Sequence, residues 1–224
     1  MAVKHIDTYS KKWSVALIGT VTWMYLIFIL PLHTAAVGFL YPYVKFYGFQ
    51  SSDVRLGVFL LITFCLVMLL LGRVIYKQNK NIKAFTKFFK EKHFHEPSSV
   101  NVAKSWTGLS YLSFDTKNGT LLYINHPDTT VFNFFTAKDV RVMGFGISDW
   151  KAIDVVGKTL TIYTGNPDLP SVSIHTAKAN ELYEKINAMR NEKLDYEFSI
   201  PGYVEHQAKL IAESNEINLI LPPR

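Results

Sequence analysis

Two stretches without a charged side chain set the first limit on this chain: Trp13 to Val44 and Leu56 to Gly72 contain no Asp, Glu, Lys or Arg. A helix crossing a bilayer core of roughly 30 Å needs about 20 residues, and each stretch can supply one crossing. The sequence therefore predicts a two-pass transmembrane helical hairpin over residues 13–76, preceded by a short cytoplasmic N-terminus at 1–12.

The flanking charges orient it. Lys4, Lys11 and Lys12 precede the first run, and Arg73, Lys77, Lys80, Lys83, Lys87, Lys90 and Lys92 follow the second. Only Lys45 and Arg55, with Asp53 beside them, lie between. Basic residues near helix ends stay in the cytoplasm, so both termini are expected there. Trp13, after Lys11-Lys12, fits the interfacial end of an uncleaved anchor. The small residues Thr34, Ala35 and Ala36 would suit a signal-peptide cleavage site, but Trp13 to Leu30 is longer than the roughly 7–15 apolar residues of a signal core. Arg73 interrupts the second run, and its aliphatic stem lets the charge reach the headgroups.

Proline disrupts the hydrogen bond to the preceding turn, so the first crossing is expected to end or kink at Pro31. Beyond it Tyr41, Tyr43, Phe46 and Tyr47 are the aromatic type that collects at a membrane boundary. This outer segment reads either as an interfacial connection or as a surface for a protein partner.

Charge divides the chain. Residues 1–104 carry 13 basic against 4 acidic side chains, a net of +9, and the remainder carries 11 against 14, a net of −3. The basic excess therefore belongs to the anchor and its flank, where anionic lipid headgroups are the matching partner. A nucleic-acid binder would spread it over a folded face. The lone Cys65 can form neither an intrachain disulfide nor a cysteine-rich metal site.

From residue 77 to 104 the chain is basic and amphipathic. Ile82, Phe85, Phe88 and Phe89 recur at helical spacing among Lys77, Lys80, Lys83, Lys87 and Lys90. Such a stripe can lie on the cytoplasmic leaflet, or pack on the following domain while the lysines stay solvated. His93 and His95 alone make no metal site. Glu96-Pro97-Ser98-Ser99 reads as a linker.

Residues 105–192 change to alternation. Candidate strands run from Leu109 to Phe114, Thr120 to Asn125, Thr130 to Phe135, Asp139 to Phe145, Ser148 to Val156, Thr159 to Tyr163 and Ser171 to Ile174. Turn residues such as Asn118-Gly119, Gly157-Lys158 and Gly165-Asn166-Pro167-Asp168 separate them. A helix follows from the Thr176 cap to Arg190, with Ala179, Leu182, Tyr183, Ile186 and Met189 on one face. The fold class is α+β.

Seven strands capped by one helix resembles the order of a pleckstrin-homology-like (PH-like) antiparallel β-sheet or barrel domain, as do Phe114-Asp115 before a turn and Lys138-Asp139-Val140 opening a strand. That resemblance implies a binding platform. Lys117, Lys138, Arg141 and Lys151 are scattered, so the inositol-phosphate clamp of eukaryotic members is not expected. Residues 193–224 form a tail with a candidate short strand at Tyr196–Ile200, a helix over Val204–Glu213, and the apolar pentad from Ile217 to Leu221. The tail either packs on the domain or offers Ile217, Leu219 and Leu221 to a partner by edge pairing.

No Gly-rich phosphate loop, Gly-x-Ser-x-Gly or His-Glu-x-x-His pattern occurs, and no acid, base and nucleophile cluster together. Neither a catalytic residue, a cofactor nor a metal is expected. Three function classes stay open: a membrane interaction protein, a lipid-binding or lipid-handling module, and an enzyme of unrecognised type. Within the first, Tyr9-Ser10-Lys11-Lys12-Trp13 leading into an apolar hairpin, the chain's size and the single PH-like domain together resemble the surface exclusion proteins of I-type conjugative plasmids. The resemblance implies a non-enzymatic inner-membrane protein of the recipient cell that refuses redundant conjugative DNA transfer by recognising a component of the donor's transfer apparatus. A homo-oligomer is compatible with it.

Overall fold

A computed structural model describes residues 4–5, 24–47, 52–105, 109–126, 139–190 and 196–222. Trp13 and the candidate strand Thr130–Phe135 lie outside them. The chain divides into two compact units, Lys11–Tyr76 with Asp128–Thr136, and Met1–Ser10 with Lys77–Pro127 and Ala137–Arg224.

The first unit is helical. A π-helical turn, Tyr25–Ile29, leads into α1, Leu30–Tyr47, and the next helix, α2, starts at Ser52 and ends at Glu91 in the second unit. Both are long and apolar enough to cross a membrane. The first helix does not end at Pro31, and residues 32–47 are helix rather than an irregular connection. The chain is already helical from Met24, so Pro31 stands inside a continuous helix, and it is the local π geometry that accommodates the missing N–H. The wider π turn just before it closes with the Leu30 N–H bonded to the Tyr25 carbonyl. Pro42 is also carried inside α1.

The second unit is α+β. After a short 3₁₀ turn come β2 (Val102–Lys104), β3 (Ser110–Asp115), β4 (Thr120–Asn125), β5 (Asp139–Phe145), β6 (Ala152–Val156), β7 (Thr159–Asn166) and β8 (Leu169–His175). Then follow α3 (Ala179–Arg190), α4 (Ile200–Ser214) and β9 (Asn218–Leu221). Near the N-terminus, β1 is the pair Lys4–His5. One sheet has the order β1-β9-β5-β4-β3-β2 and the other β6-β7-β8. Strands β2 to β5 pair antiparallel, whereas β9 lies parallel to both β5 and β1. Among the described residues two separate sheets are present and no barrel closes, which corrects that part of the expectation.

Burial explains how the layers stack. Along β3 and β4 almost every residue is buried, because the larger sheet is covered on both faces. Leu112, Phe114, Leu121 and Tyr123 face a core shared with the three-stranded sheet and with Leu182, Ile186 and Met189 of α3. On the other face Tyr111, Leu122 and Ile124 meet α4 and the end of α2. The three-stranded sheet has one wet face, and its strands alternate.

The tail completes the larger sheet. Tyr196–Ile200 is not a strand, because Ser199 caps α4, accepting from the Gly202 N–H at 3.3 Å, and Pro201 sits in the first turn. At Gly144 the helix comes so close that a Cβ would overlap Val204 of α4. Strand β9 inserts between β1 and β5, with Ile217, Leu219 and Leu221 buried. Of the two readings of the pentad, this is the packed one.

Candidate functional site

The apolar stripe of α2 decides the geometry of a basic groove. Ile82, Phe85 and Phe89 are buried against the larger sheet, with Phe88 packed at their margin. The stripe is therefore covered by protein, and Phe85 and Phe89, fully enclosed, do not face lipid. With that face fixed, Lys83, Lys87 and Lys90 form the adjacent exposed row at the helical spacing of four and three residues.

These three lysines line one side of an open groove of 1140 Å³. Lys104 of β2, Lys158 and Lys178 supply the rest of its positive rim. Lys158 is carried by the β6–β7 turn, where Gly157 at φ +61° takes the left-handed conformation that only glycine adopts cheaply. Lys178 stands just before α3, its N–H donating to Thr176 Oγ1 at 3.3 Å. The two turns are tied together by the Thr176 N–H bonding the Lys158 carbonyl at 2.8 Å. Among the described residues no Asp or Glu lines the groove.

The floor is uncharged. Tyr111 lies below Lys104, whose Nζ is 6.0 Å from the ring centroid, and burial raises the phenol's pKa against a smaller opposing bond from Ser113. His95 reaches the floor because α2 ends in a tight turn, with His93 at φ 54° and the Phe94 and His95 N–H groups both returning to the Phe89 carbonyl. Its Nδ1 bonds Thr120 Oγ1 at 2.8 Å and its Nε2 bonds Ser113 Oγ at 2.6 Å. Burial lowers its pKa to about 4 despite the nearby Asp115 carboxylate, so at neutral pH it is uncharged. Asp115 would itself be raised by burial. Hydrogen bonds from the Glu96, Asn118 and Lys117 N–H groups and the Asn118 side chain outweigh this and hold it below the usual carboxylate range. His93 is exposed and pairs with Glu96. The two histidines thus have structural partners, and no group of three metal-ligating side chains occurs among the described residues.

A separate polar point lies in the hairpin unit. His33 is buried between α1 and α2, its Nδ1 3.0 Å from Tyr25 Oη and its Nε2 3.3 Å from Thr63 Oγ1. The helices also meet at Gly57, where a Cβ would touch Leu40. Pairing of 33 with 63 and 40 with 57 makes the helices antiparallel there. Around these points the apolar side chains are bare: Leu32, Phe39, Phe59, Ile62 and Leu69 are each more than 60 % exposed.

Arg73, Lys77 and Lys80 are exposed, and so is Phe46. Tyr41, Tyr43 and Tyr47 belong to the α1 helix, but their side chains lie outside the described part. The sequence reading missed Lys104, Lys158 and Lys178. The signal available was weak: two of the three sit at turn tips, and nothing local says that those tips converge.

Comparison with curated proteins gives no match, and comparison with solved structures gives none either. A family model described as Exclusion-determining protein matches residues 1–223, covering the hairpin and the sheet domain alike. With its apolar helices and its helix-covered sheets within that match, the chain belongs to the family of exclusion-determining proteins.

Proposed function

We propose that this chain is a non-enzymatic inner-membrane protein that excludes redundant conjugative DNA transfer by recognising a component of the donor's transfer apparatus. The observation that carries it is the family match over residues 1–223, which joins membrane-length helices to a folded domain in one exclusion protein. Fold alone names no activity. Its address is the inner membrane, crossed twice, with both termini in the cytoplasm. The exposed apolar side chains of the helices support lipid as their surroundings. The pairing of Lys4 and His5 with Ile220 and Leu221 supports an even number of crossings, because both segments must share a compartment to form it. The basic residues Arg73, Lys77 and Lys80 support the cytoplasmic side as that compartment.

The domain follows a PH-like plan in its antiparallel strands and the helix α3, extended by the tail. Specificity for the donor component lies with the outer end of the hairpin, around Phe46, or with the sheet domain. In a mating assay, recipients expressing the chain receive the cognate plasmid less often than recipients lacking it. An unchanged transfer frequency would overturn this reading.

A further inference from the structure

We propose that the lysine groove is a binding site for the phosphate-bearing headgroup of an anionic membrane lipid. Six lysines from separate parts of the sequence converge on it: Lys83, Lys87 and Lys90 from α2, then Lys104, Lys158 and Lys178. The nearby carboxylates are engaged elsewhere or at the margin. Glu91 does pair with one groove lysine, Lys87, at 3.6 Å, but both side chains are exposed at the groove's edge, and Glu181, near Lys178, bonds Lys185 at 2.6 Å. Like charges gathered around one concavity repel each other until an anion enters.

Shape narrows the ligand. The groove exceeds the space of a single phosphate, its 1140 Å³ lying just above the range of about 300–1,000 Å³ usual for small-molecule sites. The hydroxyls of Ser99 and Thr176 add neutral polar groups, while Val102, Ala103 and the Tyr111 ring provide an apolar floor. A charged rim over an apolar floor suits a headgroup carrying glycerol carbons. A single-stranded nucleic acid would call for a run of aromatic stacking platforms, and among the described residues Tyr111 is the one phenol or phenyl lining the groove. Lipid is also favoured over soluble phosphate by position in the chain, since Lys83 follows the end of the apolar run at Tyr76 by seven residues.

The inference rests on the membrane address proposed above but not on exclusion itself. A chain that leaves mating frequency unchanged yet shows the headgroup preference breaks only the functional reading. The test uses the full chain in nonionic detergent, with native mass spectrometry counting adducts of added phosphatidylglycerol or phosphatidylcholine. Phosphatidylglycerol is expected to bind about tenfold more tightly or better, and the triple variant K104Q/K158Q/K178Q to lose that preference. The control K77Q/K80Q, which removes two basic residues outside the groove, changes it by no more than about twofold. All three groove lysines in the triple variant are exposed, so a thermal melt matching the natural chain verifies folding. Equal losses in both variants would overturn the site. Displacement of the lipid by equimolar inorganic phosphate or by a short single-stranded oligonucleotide would overturn the lipid assignment in favour of that competitor.

Discussion

Two stretches of the α2 helix use the same kinds of side chain to opposite ends. Between Leu56 and Tyr76, Phe59 is 61 % exposed and Leu69 is 71 % exposed. Between Ile82 and Phe89, Phe85 and Phe89 are fully enclosed. Helical amphipathicity accounts for the second stretch, where apolar residues occupy one stripe and lysines the next. It fails for the first, which is apolar all round. A helix of that composition is stable only where its surroundings are apolar too. The difference teaches that the same apolar side chains are bare in one stretch and covered by protein in the other, and that the run of lysines begins between the two.

The sharpest break in that comparison is a matched pair of truncations. Phe89→Ala removes a ring from a closed core and is expected to destabilise the sheet domain by about 3–5 kcal/mol. Phe59→Ala leaves the domain's stability within about 0.5 kcal/mol. Urea unfolding of the full chain in detergent, followed through the near-ultraviolet signal of buried Trp150, measures both. Equal losses would mean that the two stretches are not differently covered.

The next effect belongs to the enclosed side alone. His95 has a folded pKa near 4 against 6.5 for the free side chain, so the unfolded chain binds the extra proton first. Stability is full above pH 6.5, falls as pH drops from there towards 4, and loses about 3 kcal/mol in all from this group. Asp115, held below its ordinary value, adds a loss in the same direction at lower pH still. His95→Gln should flatten the fall between pH 6.5 and 4 in the same unfolding assay. An unaltered slope would remove His95 as its source.

A smaller contrast comes from two glycines. Gly144→Ala forces a methyl into the buried Val204 and is expected to cost about 1–3 kcal/mol of domain stability. At Gly72, in the exposed stretch, nothing lies within 4 Å of the added carbon. Gly72→Ala leaves the helix unchanged or stabilises it by up to about 1 kcal/mol. Paired melts of the two variants would separate a packed position from a bare one.

What could be read from the sequence was what is local. The strands around Asn118-Gly119 and Gly157-Lys158 stand where their turn residues put them, and α3 starts just after Thr176. The Ser148–Val156 strand shortens to Ala152–Val156 because Asp149 closes a turn, accepting from the Gly146 N–H at 2.7 Å. What could not be read depended on distant partners. The stripe Ile82, Phe85 and Phe89 announces a covered face without saying what covers it. Strand β9 joins its sheet beside residues far away in sequence, and the six lysines become a cluster only after Lys104, Lys158 and Lys178 have been folded against α2. The helix through Pro31 was hidden for another reason, since the π turn at Tyr25–Ile29 that accommodates the proline has no signature in the local sequence.

The most direct measurement is the partition of the full chain between membrane and supernatant after an alkaline carbonate wash of isolated bacterial membranes. Peripheral proteins held by charge are released, whereas a chain whose helices have lipid as their solvent stays in the pellet. This account predicts retention, undiminished when Lys77 and Lys80 are both replaced by Gln. Recovery of the intact chain in the supernatant would contradict it.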